Sequence, residues 1–479
     1  MLKALIWKLL ERFGVQGIQF IMQIILARLL SPEHYGILSL MIVFTTLANV
    51  FIQNGFNAAL IQNKDVTEED YSSVLWVSLS IAVVMYGAIF FAAPLIGQAY
   101  KMPDIVPPLR VLALMLLPGA LNSVQLAKVS REMDFKKVFT SNIAGVLVSG
   151  MVGIMIAYCG GGLWALVAQT LLNTVFACAV MCFTVKWRIR FVCNLERVRI
   201  LFGYGWKLVV SGLLDTLYRD IHSLIIGLKY DRGTLGFESR GKQFPAFLLN
   251  GINGAVQSVM LPALSQKQEN RDDAKMLMRS SIVLCSYIIF PIMAGLAGVA
   301  KPLVSLLLTD KWLPCVPYLQ IYCFSYAFYP VHTSNLQAIN AMGRSDVFLK
   351  LEVLKKAFAL ILLLCALYFF DTPIAIAATG IISAFTSGFI NALPNKKLIG
   401  YSYSEQMKDI APSFAIALIM CVCVLLLNLL QLPAIVLLLL QCGAGIIVYI
   451  LLSMVFRVPA FYILLNQIKR VLKKRELIA

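Results

Sequence analysis

Charged side chains are what this chain has least of. Only 14% of its 479 residues are Asp, Glu, Lys or Arg, where a soluble protein carries roughly 25%. That shortage excludes a water-bathed globular protein. The 60% hydrophobic content and the mean hydropathy of +0.82 point to lipid as the solvent. Histidine is nearly missing, and His34, His222 and His332 lie too far apart for any zinc spacing. Cysteines are present but lie almost all in apolar runs. Cys421 and Cys423 sit in IMCVCVLLLNLL, where cysteine behaves as a small hydrophobe.

Long loops are also lacking. The longest expected cytoplasmic segment, 185–205, is too short to fold as a catalytic domain. Nothing resembles a nucleophile elbow, a paired-carboxylate site or a phosphate-cradling glycine loop. Gly160–Gly162 reads as a tight turn, with no helix-start lysine behind it. These absences argue against an enzyme, and no cofactor or metal is expected. A cleavable signal peptide is not expected either, because Glu11 and Arg12 interrupt the first apolar stretch. Residues 1–12 read as an interfacial lead-in.

What the chain does have is apolar runs of spanning length, about 20 residues each. They predict an all-α integral membrane protein of about fourteen spans. These lie near 13–30, 36–61, 73–97, 105–126, 139–158, 162–184, 206–228, 243–263, 280–308, 314–340, 347–370, 372–394, 410–430 and 433–455. Asp371 and Pro373 separate spans eleven and twelve, and proline suits the first turn of a new helix. With the N-terminus inside, most Lys and Arg fall on the cytoplasmic side, as the positive-inside rule requires with an even span number and both termini cytoplasmic. The same dispersal removes nucleic acid as an explanation of the net charge of +17. The basic tail KRVLKKREL suits membrane lipids of an anionic leaflet.

The halves of the chain resemble each other. Trp7-Lys8 corresponds to Trp206-Lys207, Tyr35-Gly36 to Gly236-Phe237, and Arg131–Phe135 to Arg344–Phe348, at offsets that grow slowly from 199 to 213. Residues 1–200 and 201–400 therefore read as two six-helix bundles related by a pseudo-two-fold axis along the membrane normal. Residues 401–479 add two apolar spans and the basic tail. Such repeats leave a cleft suited to alternating access.

Polar residues at membrane depth are costly unless they face a partner or a cavity. They form stripes at helical spacing: Gln16, Gln19 and Gln23 in span one; Asn49, Gln53 and Asn57, with Asn54 beside them, in span two; Asp215, Arg219 and His222, plus Asp220, in span seven; Asn250, Asn253 and Gln257 in span eight. These four spans pair up in the repeat, so one hydrated lumen is expected. Amides both donate and accept hydrogen bonds, which suits hydroxyl-rich ligands such as sugars. A guanidinium recognises phosphate through a fixed fork, which makes Arg219 the candidate for an anionic group. Alternatives stand beside these readings. Amides also hold helices together, and Asp215 with Arg219 could be a self-neutralised pair. Arg240 and Lys242 could be lumen cations or solvated loop charges. His332 could be a satisfied buried histidine, and Asp220 with His222 could carry protons.

Three segments carry a family resemblance: LARLLSPEHYG (26–36), ALIQ with EDYSSVLW (59–62 and 69–76), and NAMGRSDVFLKLEVLKK (340–356). Over roughly residues 1–410 the chain resembles the Wzx-type polysaccharide flippases of the colanic and teichuronic acid exporter branch. That branch belongs to the multidrug/oligosaccharidyl-lipid/polysaccharide exporter superfamily. The resemblance implies a bacterial inner-membrane transporter that moves undecaprenyl-diphosphate-linked glycan units to the periplasmic leaflet. It implies a cavity built by spans one, two, seven and eight, a cavity arginine meeting the diphosphate (Arg219 here), and ion-gradient coupling, for which no ion site is evident. Two other functions remain open: a multidrug or cation exporter, which would favour acidic and aromatic cavity residues, and a membrane glycan polymerase or ligase, which would need a catalytic constellation.

Overall fold

A computed structural model describes Trp7 and residues 14–466, apart from 54–56, 58–59, 62–64, 186, 188, 193, 268–269 and 431. Most of the expected lead-in, the basic tail, Asn54 and much of the ALIQ segment therefore lie outside the described residues. The described secondary structure is helical throughout: α1 (Gln16–Leu29), α2 (Pro32–Gln53), α3 (Glu68–Ala99), α4 (Val106–Ala113), α5 (Leu116–Glu132), α6 (Phe135–Tyr158), α7 (Leu163–Thr184), α8 (Leu195–Lys229), α9 (Arg232–Ser265), α10 (Arg271–Gly298), α11 (Ala300–Leu308), α12 (Val316–Ala327), α13 (Tyr329–Ala341), α14 (Ser345–Phe369), α15 (Pro373–Leu398), α16 (Tyr403–Leu426) and α17 (Ala434–Val455).

Each expected span falls on one of these helices or on a run of them. Among the described residues, nine helices or continuous helical runs are long and apolar enough to cross a membrane. The helices carrying the polar stripes of spans one, seven and eight (α1, α8 and α9) are not among the nine. α1 has only 14 described residues, and charged and amide side chains lower the apolarity of α8 and α9.

Several boundaries differ from the sequence reading. Spans seven and eight begin at Leu195 and Arg232 rather than 206 and 243. Hydropathy stops at the hydrocarbon edge, but a helix stops where its backbone is capped. The Asn194 side chain accepts from the Arg197 N–H. Asp231 accepts from the N–H groups of Gly233 and Thr234. With 35 residues, α8 is about 52 Å long. Span four is broken into α4 and α5, and span ten is broken into shorter pieces that end in α12 and α13. Pro373 does open α15, behind a Thr372 cap, and Gly160 and Gly162 take positive φ in the turn before α7.

The chain forms two compact units, Met1–Ser239 and Arg240–Ala479. In the first, α1 packs on α6, α6 on α7, α3 on α5, and α8 on α2 and α3. In the second, α10 packs on α16, α14 and α12 on α15, and α17 on α16 and α11.

Repeat-related positions recur in the structure. Pro94 in α3 and Pro291 in α10 each remove an N–H and leave the carbonyl four residues earlier without its helical partner. The Phe90 carbonyl accepts instead from Arg110 Nε at 3.1 Å. The Tyr287 carbonyl accepts from the Tyr449 hydroxyl at 2.8 Å. Gly36 of α2 and Gly236 of α9 meet reciprocally. A methyl group on Gly36 would collide with the Arg232 carbonyl oxygen, and one on Gly236 with that of Pro32. Small residues one turn inside each helix thus let the two backbones touch.

The first turns of α3 and α10 are braced by ion pairs. Arg197 grips both oxygens of Asp70 at 3.1 Å, and Arg190 lies 3.5 Å from Glu69. On α10, Lys275 reaches Glu405 at 3.2 Å and Arg279 reaches Asp409 at 2.5 Å, both acids on α16. Burial pushes the Asp70 carboxyl up, but hydrogen bonds from Thr67 and Arg197 outweigh it, so its pKa is lowered. The Ser402 N–H and then Lys275 hold Glu405 down at about 2.

Two predictions follow from these contacts. Gly36→Ala or Gly236→Ala should each cost about 1–3 kcal/mol through overpacking. Because both act on one contact, the double variant should lose less in melting temperature than the two single losses combined. Glu405 has a depressed folded pKa, so its stabilisation is fully present above its ordinary value of 4.5 and is lost as pH falls through about 2. Glu405→Ala should therefore melt below wild type at pH 7, and the gap should narrow as pH falls through that window.

Candidate functional site

The stripe residues fall into two environments. Gln16, Gln19, Asp215, Arg219, Asn250 and Gln257 are exposed, while Gln23, Asn49, Gln53, Asn57, Asp220, His222 and Asn253 are half-buried. Asp215 and Arg219 lie near the middle of α8. An Asp or Arg facing hydrocarbon at a helix centre costs about 2.5–3.5 kcal/mol. Water on this face of α8 would avoid that cost.

Some of these side chains engage one another. Gln53 Nε2 donates to Asn49 Oδ1 at 3.1 Å, one turn apart on α2. Arg219 pairs with Asp220 at 3.4 Å, leaving the Arg219 side chain 60% exposed. Asn253 of α9 accepts from the Thr333 hydroxyl of α13 at 2.6 Å, which is a helix-joining role. Asn57 lies past the end of α2, and its buried Oδ1 has no hydrogen-bond partner among the described residues.

Arg240 is not a solvated loop charge. It sits inside α9, not at the outer start of a span, because the helix begins at Arg232. It is only 4% exposed, bonds to Gln243, and lies 5.8 Å from the ring of the fully buried Trp312. The shared burial makes it a packed cation rather than a solvated loop charge.

Sequence reading missed two polar features. Glu238, in what read as a loop before span eight, is 0% exposed and accepts from the Ser223 hydroxyl of α8 at 3.0 Å. The cap at Asp231 was the signal that placed it within a helix. The second is an amide network in the second unit, where Asn335 of α13, Asn395 of α15 and Gln406 of α16 are all fully buried. Asn335 and Gln406 exchange hydrogen bonds at 2.8 and 3.1 Å, and Asn395 donates to Asn335 at 2.7 Å. His332 is buried on α13 as well. These amides bond one another in place of water, with only Asn395 Oδ1 of the three left without a partner among the described residues, so they hold helices together, in contrast to the exposed stripe of α8.

The family described as "Polysaccharide biosynthesis protein" matches residues 25–317, more than half of the chain. The chain belongs to that family. It is 22% identical over 341 residues to the succinoglycan biosynthesis transport protein ExoT of Rhizobium meliloti (strain 1021), covering 71% of this chain and 69% of that protein. It is 24% identical over 307 residues to the teichuronic acid biosynthesis protein TuaB of Bacillus subtilis (strain 168), covering 63% of each. Its fold is similar to that of the lipid II flippase MurJ in an inward closed conformation, with a TM-score of 0.74 and 14% identity over 95% of this chain and 99% of the other. The family member thus shares the helical architecture of a solved flippase.

The environment of the stripes is testable by thiol chemistry. In a background with the native cysteines replaced, Gln16→Cys, Arg219→Cys and Asn250→Cys should react with a charged, membrane-impermeant methanethiosulfonate reagent in inverted vesicles. Met151→Cys, on an exposed apolar stretch of α6, should not. Equal protection of all four would mean that the stripes do not face water.

Proposed function

We propose that this protein is a flippase for lipid-linked oligosaccharides, moving undecaprenyl-diphosphate-linked repeat units across the bacterial inner membrane for surface polysaccharide export. The observation that carries the reading is the exposed charged pair of Asp215 and Arg219 on α8, together with the exposed amides Gln16 and Gln19 on α1 and Asn250 and Gln257 on α9. Amides suit the sugar hydroxyls, and Arg219 offers a fork to the diphosphate while retaining much of its exposure. Asp215, Gln16, Gln19, Gln23, Asn49, Gln53, Asn57, Asn250, Asn253 and Gln257 complete the proposed lumen. Arg240 acts from its packed position, and Asp220 and His222 are the proposed groups for coupling to an ion gradient.

Family membership, the transport role named for ExoT and the fold shared with MurJ support this reading. The mechanism is alternating access between repeat halves 1–200 and 201–400, with 401–479 appended and both termini cytoplasmic. The headgroup crosses within the lumen while the prenyl chain stays in lipid, so no chemical bond has to be made or broken.

Arg219→Ala should lower the flipping rate of an undecaprenyl-diphosphate-linked glycan in proteoliposomes at least about tenfold, at equal protein content. That corresponds to about 1.4 kcal/mol, within the range of a charge-assisted hydrogen bond. Arg219→Lys should retain intermediate activity, because it keeps the charge and loses the fork. Unchanged transport in Arg219→Ala would remove this residue from the site.

A further inference from the structure

Tyrosines recur along span ten at helical spacing. Tyr318, Tyr322 and Tyr326 stand four residues apart on α12, and Tyr329 follows three residues later at the start of α13. From Tyr322 onward the rings meet in series. Tyr322 and Tyr326 have centroids 5.8 Å apart, and Tyr326 and Tyr329 lie 6.5 Å apart at an interplanar angle of 81°. Tyr329 in turn lies 6.1 Å from the His332 ring. These separations are those of attractive aromatic pairs. From Tyr318 to Tyr329 the ladder runs about 16 Å along the span.

The ladder is covered at one end and open at the other. Tyr318 is 4% and Tyr322 6% exposed, Tyr326 is half-buried, and Tyr329 is 40% exposed. The covered end packs on α9. A methyl group on Gly241 would come within 2.6 Å of Tyr318 Cβ, and Lys242 Nζ lies 6.0 Å from the Tyr322 ring centroid. At the open end, the Thr333 hydroxyl donates to Asn253 of α9 at 2.6 Å, which fixes the register of the two helices. One turn before that bond stand Tyr329 on α13 and Asn250 on α9, and both are exposed. The open end therefore lies on the seam between α9 and α13, with an aromatic wall on one side and the amide stripe on the other.

Such a seam suits one kind of ligand. A phenol offers a flat apolar face of negative quadrupole and a hydroxyl at its rim. A pyranose is its complement, with C–H groups on a ring face and hydroxyls around the edge. The C–H groups settle on the π face, while amides and phenol hydroxyls take the sugar hydroxyls. The charged group over the ladder is the Lys242 ammonium, which repels a cationic ligand. We propose that Tyr326 and Tyr329, with Asn250, form a stacking site for a pyranose ring of the carried glycan. The proposal rests on the flippase reading and deepens it, by naming the residues that read the sugar apart from the diphosphate at Arg219.

The test measures binding to full-length protein in detergent micelles by native mass spectrometry. The probes are undecaprenyl diphosphate carrying one galactose, bare undecaprenyl diphosphate, and the lipophilic cation tetraphenylphosphonium. Stacking reads the ring more than its pattern of hydroxyls, so galactose serves as the sugar. Wild type should bind the galactosyl carrier at least about tenfold more tightly than the bare one. Tyr326→Ala with Tyr329→Ala should lose most of that preference, and Tyr326→Phe with Tyr329→Phe should keep most of it. Should the double alanine variant not fold, Tyr329→Leu, which keeps apolar bulk and loses the ring, should still lower the preference severalfold. No preference for the galactosyl carrier, a preference indifferent to the loss of the rings, or ring-dependent binding of tetraphenylphosphonium in its place would overturn the proposal. Flipping of the galactosyl carrier by the wild type is measured in parallel proteoliposomes. Flipping without a ring-dependent preference overturns the stacking site and leaves the flippase reading standing. A ring-dependent preference without flipping supports the stacking site and counts against the flippase reading.

Discussion

Hydrocarbon offers no hydrogen bonds, and this molecule is arranged around that fact. A backbone group left without a partner in lipid costs several kcal/mol, so each disruption of a helix has to be repaired from within the protein. The two helical prolines illustrate the repair: Pro94 exposes the Phe90 carbonyl and Arg110 fills it, while Pro291 exposes the Tyr287 carbonyl and Tyr449 fills it. Polar side chains follow the same rule in two ways. Asn335, Asn395 and Gln406 bond one another and are lost from solvent altogether. Asp215 and Arg219 remain exposed, Arg219 beside its partner Asp220. The distinction separates polar residues that hold the fold together from those available to a ligand, although both look alike as residue types.

Much of the fold was legible because the apolar runs and the helices coincide where a helix faces lipid, as in α3, α6, α7, α16 and α17. The proline at 373 was legible because its constraint is local. Legibility failed wherever the determinant was a cap or a distant partner. Spans seven and eight start well before their apolar segments because Asn194 and Asp231 cap them in polar sequence. The break in span four leaves hydropathy unchanged, and that in span ten was marked only by Pro330 at the start of α13. Glu238 and the amide network depend on neighbours that only the folded chain supplies, such as Ser223 fifteen positions earlier and Gln406 seventy-one positions after Asn335.

The candidate site was legible in its periodicity but not in its environments. Spacing correctly grouped Asp215, Arg219 and His222 on one face, since helical geometry alone determines that. It could not separate Asn253, which bonds Thr333, from its exposed stripe neighbours Asn250 and Gln257. Nor could it show that Arg240 is packed against Trp312. Burial is a property of what surrounds a residue, and a single sequence carries little of it.

The braces at the first turns of α3 and α10 have opposite polarity. On α3 the acids belong to the braced helix and the bases come from the segment that follows the bundle; on α10 the bases belong to the braced helix and the acids come from α16. An exchange of partners between the two would bring Asp70 against Glu405, or Arg197 against Lys275, and like charges repel. Duplicated segments are prone to confusing one copy's contacts with the other's while a chain is being inserted and assembled. Here each copy carries a lock that its twin's key cannot turn, so the sign of a few surface charges gives two similar halves distinct addresses.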